Sequence, residues 1–412
     1  MNMQDPAVPI IKEKADDAFN KNDFIVALSL YSYLSDIYPQ NGIYHLNQSL
    51  TFLRLQRHVH PSFLGTHLTA FLLNGGSSKT AQAEAERLEV ASAAASGNLE
   101  RDSIADLGGL LSQTLNLKSN CDTDVVYEFR ASGNNGLGAF ALKPLRRGDI
   151  ILTETPLVPI DDPIPNKIIS AFRKLSPRDI SRCLLLQNAH PNDGIFWGIY
   201  KTNAFAQAGI VFEASRFNHS CSPNAHYTYH EPSKRQRIIV LTDITAGEEI
   251  FVSYIRGRNV YGSPRSQRRQ MLMSRYRFCC MCLACDEANY QASDRRRQEI
   301  GSIWEALPRS VDGRQALTSV VKAVTLMKAE GYYADADDFA VDAAALCAGH
   351  SDWISCVYWA RFSYETRAIE YGADHPHTER AREILAQPRS KKYHPQAGVF
   401  PKKTFRNIRL PH

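Results

Sequence analysis

The stretch Arg216-Phe-Asn-His-Ser-Cys-Ser-Pro-Asn224 decides how the rest of this chain is read. Downstream of it lie Gly247-Glu-Glu-Ile-Phe-Val-Ser-Tyr254 and then Phe278-Cys-Cys-Met-Cys-Leu-Ala-Cys285. Each is weak alone. An Asn-His pair such as Asn218-His219 is usually a polar turn, and a tyrosine closing a strand, as Tyr254 does, is usually an amphipathic core residue. Three such stretches in this order are hard to produce by accident.

The cysteines give the strongest spacing signal. Cys280-x-Cys282-x-x-Cys285 puts three thiols in one tight loop, and Zn²⁺ prefers four ligands in a tetrahedron. In a reducing compartment, cysteines at short spacing point to metal rather than to disulfides, the plain alternative being buried structural thiols. Cys279 is an extra thiol able to compete as a ligand. Cys121, Cys183, Cys347 and Cys356 have no partners by spacing and are expected as core or free thiols. Upstream, Gly136-Leu137-Gly138 lies between strand-like pieces, where glycine permits a sharp turn or a close approach of backbone to a ligand.

Taken together, Asn134-Asn-Gly-Leu-Gly-Ala-Phe-Ala141, the stretch around Asn218-His219, the segment ending at Tyr254 and the cysteine loop resemble the SET-domain protein lysine methyltransferases. The resemblance is closest to the group related to the SET–MYND proteins. It implies S-adenosylmethionine as cofactor, its methionine part held by the backbone of Asn135, Gly136, Leu137 and Gly138. Asn218 and His219 would meet the adenosine part, with Asn203 and Ser215 as further polar positions of the cofactor site, and Asn224 would tie loops together. Tyr254 aligns with the catalytic tyrosine. Cys221 is implied as the fourth ligand of a Zn²⁺ site with Cys280, Cys282 and Cys285, a clip that fastens the post-SET loop to the core. Phe278 would then cover the cofactor and the lysine channel. One departure is plain: the insert between about Asp161 and Gly198 offers only Cys183 and His190, which cannot build the binuclear zinc module of SET–MYND proteins. That insert is free to shape the substrate groove.

The chemistry explains the residue types. Methyl transfer from a sulfonium to an amine is an in-line displacement that needs a neutral amine, although a free lysine has a pKa of about 10.4. A narrow apolar channel lowers that value by desolvation, and an aligned hydroxyl orients the lone pair. Tyr254 would therefore position the amine rather than attack it.

The chain has 412 residues, 44% hydrophobic and 22% charged, the composition of an ordinary soluble protein of two or three domains. The fold class expected is α+β and multidomain, a β-rich SET fold with a zinc-binding post-SET loop between helical regions. Residues 1–75 read as helices with faces Ile11, Ala15, Ala18, Phe19 and Phe24, Ala27, Leu28, Tyr31, Leu34, either TPR-like or a plain helical hairpin. Such a pair cannot bury its apolar face alone and should pack on a neighbour or a partner peptide. A linker over 76–122 follows, then the SET span 123–258, the post-SET segment 259–290, a helical domain over 291–388 and a basic tail over 389–412. In the helical domain the stripes are Leu317, Val320, Val321, Val324, Met327, then Phe339, Ala340, Ala343, Ala344, Cys347, then Trp353, Val357, Ala360, Tyr364.

The net charge is +5, but the tail carries seven Lys or Arg and no acid, so the rest of the chain sits at −2. A second run, Arg256 to Arg277, has seven Arg and no acid. Both read as a solvated tail and a charged helix face at least as well as a binding surface, and nucleic-acid binding is not expected. No apolar run reaches the ~18 residues that span a bilayer, and the N-terminal Met1-Asn-Met-Gln-Asp-Pro6 has no signal-peptide character. An intracellular location, nuclear or cytoplasmic, follows as an expectation. The partner expected is a protein presenting a lysine, histone or not, with a second peptide or protein possible on the helical regions. The alternative function is a catalytically idle scaffold; intact Asn218, His219, Tyr254 and cysteines favour the enzyme.

Overall fold

The computed structural model describes residues 5–59, 125–133, 136–159, 163–307 and 312–411. The linker expected over 76–122, with Cys121, lies outside the described residues. The chain divides into two compact units, one formed by residues 1–119 and 157–212, the other by 120–156 and 213–412.

In the first unit, helices α1 (Ala7–Asn20), α2 (Phe24–Ile37) and α3 (Gly42–Val59) pack each on the next. Asn22 takes a left-handed φ of 60°, and Asp23 caps α2 by accepting from the Val26 N–H at 3.3 Å, so the polar pair reverses the chain. Ile11, Ala15 and Ala18 face Ala27, Tyr31 and Leu34 in the core. The apolar face left over is closed by α4 (Pro165–Lys174), α5 (Pro177–Leu184) and α6 (Ile195–Asn203), whose Ile168, Phe172, Ile180, Phe196 and Ile199 join the same core. Phe172 stacks on Phe196 with ring centroids 4.2 Å apart. The neighbour that the N-terminal hairpin requires is thus the segment that interrupts the strands in sequence.

The second unit is built on two antiparallel three-stranded sheets. One orders β1 (Tyr127–Ala131), β2 (Leu137–Ala141) and β6 (Glu249–Ile250); the other places β5 (Arg235–Val240) between β3 (Ile150–Glu154) and β4 (Ala225–His230). The Ile and Val of β5 make it the buried centre. Strand β4, with its His, Tyr and Thr residues, has no run of aliphatic β-formers, and only its pairing, Tyr227 opposite Ile238, reveals it.

Seven helices follow among the described residues: α7 (Arg258–Tyr261), α8 (Arg265–Tyr276), α9 (Tyr290–Ala306), α10 (Gly313–Ala329), α11 (Ala336–Gly349), α12 (Trp353–Glu370) and α13 (Pro376–Ala386). Leu317, Val320, Val324 and Met327 of α10 and the expected stripe of α11 are buried, in one core with Cys221, Cys280 and Cys285. On α12 the buried line is Cys356, Trp359, Ala360, Ser363, Thr366 and Glu370; of the expected stripe Ala360 is buried, while Trp353, Val357 and Tyr364 are half-buried. The tail keeps Lys391, Lys392, Lys402 and Lys403 exposed but is anchored near its end: Phe405 is 1% exposed and donates its N–H to Asp352 at 2.6 Å. Arg409 lies over the Tyr358 ring at 3.9 Å, and its neighbour Leu410 is buried. No described helix is long and apolar enough to cross a membrane.

Candidate active site

Leaving β6, the chain runs parallel to the segment around His219. The Val252 N–H donates to Asn218 O at 2.9 Å, and the Ser220 N–H donates to Val252 O at 3.0 Å. Two stretches far apart in sequence are locked side by side, which places Tyr254 next to His219. Asn224 reinforces the lock, accepting from the Phe251 N–H at 2.7 Å and donating to Glu249 O at 2.9 Å.

Asn218 turns its amide toward β2, donating to Leu137 O at 3.1 Å and to Glu249 Oε1 at 2.8 Å. The other oxygen of Glu249 accepts from Ser132 Oγ at 2.7 Å. Gly138 is a glycine for a steric reason, since a Cβ there would stand 2.1 Å from Glu249 Oε1. Gly136 is one for a conformational reason, its φ being +75° with open space around it. Asn135 lies outside the described residues. Gly136 and Leu137 are exposed, whereas Gly138 is buried against the Asn218–Glu249 pair.

Tyr254 is half-buried and donates its hydroxyl proton to Phe217 O at 2.8 Å. Burial holds its pKa well above the ordinary tyrosine value, so the group is a neutral phenol. Around it stand Tyr276 at 4.8 Å, His219 at 5.3 Å and Phe278 at 6.1 Å between ring centroids. The Tyr276 hydroxyl donates to Tyr254 O at 3.3 Å, and burial pushes its pKa up to about 12. These rings make an apolar wall beside a phenol oxygen that has already used its proton. His219 is buried, which lowers its pKa to about 4 and keeps it neutral.

Cys221, Cys280, Cys282 and Cys285 come together with all four sulfurs within 4.8 Å of one another. Cys221 Sγ is 3.7 Å from Cys285 Sγ and 4.0 Å from Cys280 Sγ. A tetrahedral Zn²⁺ with Zn–S bonds of about 2.3 Å would set its sulfurs ~3.8 Å apart. Hydrogen bonding within the set, from Cys221 before the others, pulls Cys285 down to about 7 and Cys282 further; contact with Cys280 first, then the rest, pushes Cys221 up. Four sulfurs this close share protons unless a cation lets all ionise. The surroundings favour that cation's anionic complex: the fully buried Arg268 directs Nη2 to Cys285 Sγ at 3.4 Å, and the buried Arg297 donates to Cys221 O at 3.0 Å. Cys279 is exposed and outside the set, while Cys183, Cys347 and Cys356 are buried elsewhere.

Of the other expected cofactor residues, Ser215 sits on the short 3₁₀ turn Ala214–Arg216 that leads into Phe217. Asn203 ends α6 in the first unit and donates its amide to Gln187 O and Ile199 O, both at 2.7 Å. Residues the sequence reading passed over are Glu249, Phe217, Tyr276 and Arg268. A doubled glutamate, a tyrosine two places before Phe278 and an arginine in a basic run are visible as residues; their partners are not.

The SET domain family matches residues 136–255. The histone-lysine N-methyltransferase set5 of Schizosaccharomyces pombe is 26% identical over 276 residues, 64% of this chain and 85% of that one. The protein-lysine N-trimethyltransferase SMYD5 of Homo sapiens is 34% identical over 95 residues, 21% of this chain and 22% of its own length. A solved structure of Rubisco LSMT bound to sinefungin and monomethyllysine covers 71% of this chain at 14% identity with a TM-score of 0.29, a loose likeness. Residues 136–255 match the SET domain family, and parts of the chain are similar to the SET and SET–MYND protein-lysine methyltransferases.

Proposed function

We propose that the protein is an S-adenosylmethionine-dependent protein-lysine N-methyltransferase acting on a lysine of a histone or non-histone protein. The observation that carries the reading is the Tyr254 hydroxyl, its proton given to Phe217 O and its lone pairs left beside the aromatic wall. Bound S-adenosylmethionine would supply an electrophilic methyl group on a sulfonium. The chain's own residues account for the rest. Tyr276 and Phe278 desolvate an incoming lysine ammonium and favour its neutral form. The Tyr254 oxygen accepts an N–H from that amine and aims its lone pair. The backbone at Gly136, open to close approach, and the Asn218–Glu249 pair behind Gly138 supply backbone and polar support for the cofactor. The four cysteines would hold Zn²⁺, fixing the loop that carries Phe278; their spacing and the two buried arginines fit that ion.

The test is transfer of radiolabel from S-adenosylmethionine to extract proteins by wild type and Tyr254→Phe. The substitution is expected to lower transfer about 10²-fold, the effect of a misplaced reacting group. Labelling that survives it unchanged would remove Tyr254 from the reaction. Cofactor binding with no label from any substrate would favour a scaffold.

A further inference from the structure

We propose that His219 is a positioning residue that couples the four-cysteine site to Tyr254. The inference starts from which ring nitrogen carries the proton. The Tyr254 backbone N–H can only donate, and it points at His219 Nδ1 from 3.0 Å, so Nδ1 is the acceptor. The proton of the neutral ring is therefore on Nε2, which faces Cys221 Sγ at 3.4 Å and donates to it. A chain of two hydrogen bonds thus runs from a cysteine of the cluster, through a rigid ring, to the backbone of the tyrosine.

Among the described residues, the ring nitrogens of His219 make these two hydrogen bonds. His219 is 6% exposed, and the strand-like pairing with Val252 fixes its backbone on both sides. Both ring nitrogens are used inside the protein, so the side chain offers no hydrogen bond to a cofactor. An ion held by all four sulfurs would fix Cys221 Sγ in place, and with it the sulfur end of the chain. Because imidazole is planar and inextensible, its other end then holds the Tyr254 backbone more firmly. Cys221 is itself anchored, its carbonyl accepting from Arg297 Nη2 at 3.0 Å and its N–H donating to Cys282 Sγ at 3.4 Å. The cysteine site would thus be more than a clip on the loop, since it would also set where the phenol stands.

Two substitutions cut the chain at different ends. In His219→Asn the amide oxygen can replace Nδ1 and accept from Tyr254, but nothing reaches the sulfur. In His219→Gln the amide nitrogen can reach the sulfur, while the acceptor for Tyr254 is lost. Two readouts require no catalysis: release of Zn²⁺ to excess chelator, and hydrogen exchange at the Tyr254 amide with Val324 of α10 as internal control. His219→Asn is expected to lose Zn²⁺ about 10- to 100-fold more readily with Tyr254 still protected. His219→Gln is expected to retain Zn²⁺ like wild type, to lose Tyr254 protection alone, and to lower kcat while leaving the KM for cofactor in place. Two variants that behave alike in both readouts would overturn the proposal, as would a wild type with no affinity for Zn²⁺. Should neither variant fold, wild type titrated with Zn²⁺ decides it: protection at Tyr254 must rise with occupancy, and indifference to the metal refutes the coupling. The kinetic arm alone rests on the methyltransferase reading. A wild type that transfers no methyl group fails that reading and leaves release and exchange to judge His219.

Discussion

A Cβ at Gly138 would stand 2.1 Å from Glu249 Oε1 and 2.9 Å from Asn218 Nδ2, both members of one hydrogen-bonded pair. Gly138→Ala must therefore push β2 away from that pair. A loss of about 1–3 kcal/mol in urea unfolding is expected, with weaker S-adenosylmethionine binding by calorimetry. Unchanged affinity would separate this loop from the cofactor. The sequence showed Gly-x-Gly as a turn or close approach but could not say to what, because Glu249 lies more than a hundred residues on. Glu370 was wholly illegible: it occupies a buried helical position, is 0% exposed, and neither oxygen has a hydrogen-bond partner of ordinary geometry. Desolvation first, then Asp335, raises its pKa well above the ordinary 4.5. A carboxyl whose folded value is raised stabilises fully below 4.5, and that stability is lost as pH rises toward the folded value, by about 1.4 kcal/mol per pH unit. Glu370→Gln removes the titration. Its urea midpoint should match wild type near pH 4.5 and exceed it at pH 7, and parallel pH profiles would show that Glu370 is ionised in the fold.

At the scale of elements, the basic run from Arg256 to Arg277 was legible as charge and illegible as direction. Arg265, Arg268 and Arg269 share one face of α8, as helical spacing of three and four dictates. That face grips the cysteine loop. Arg269 Nη2 and Arg265 Nη1 donate to Cys285 O at 2.9 and 3.2 Å, Arg269 Nε donates to Cys280 O at 3.0 Å, and Arg268 Nη2 donates to Ala284 O at 3.0 Å. Four thiolates around Zn²⁺ carry a net charge of −2, which a poorly solvated site tolerates only beside fixed cations. Arg268→Met keeps the volume and removes the charge, so Zn²⁺ affinity measured against a chelator should fall about 10- to 100-fold. Equal affinity would mean that the arginine serves the loop backbone alone. The misjudged stripe of α12 has a related cause. Periodicity followed Trp353, Val357, Ala360 and Tyr364, of which Ala360 is buried, whereas the buried line also takes the small or polar Cys356, Ser363 and Thr366, which an apolar count passes over.

At the scale of the molecule, composition and motif order were enough to foresee helices on either side of a β-rich core. What fastens the late helices to the sheet could not be foreseen, because the contact joins a strand to a loop far away in sequence. In the second unit, Arg237 of β5 meets Asp374, in the loop between α12 and α13, through two hydrogen bonds of 2.7 and 2.8 Å. Gly372 allows that approach, with a φ of +94° and room for a Cβ only 3.1 Å from Asp374 Oδ1. Beside it, His375 accepts from the His377 N–H at Nδ1, so its Nε2–H donates to Tyr229 O of β4 at 3.0 Å. The Arg237 hydrogen bonds pull the Asp374 pKa down to about 2 from an ordinary 3.8. A carboxylate lowered on folding contributes stability above about 3.8, and the contribution disappears as pH falls through about 2. The Asp374 side chain is 59% exposed, so solvent screening limits its value to about 1 kcal/mol or less. Asp374→Asn should therefore unfold at lower urea than wild type at pH 7, and the two midpoints should converge between pH 4 and pH 2. A gap that stayed constant over that range would assign the latch to the shape of the loop rather than to its charge.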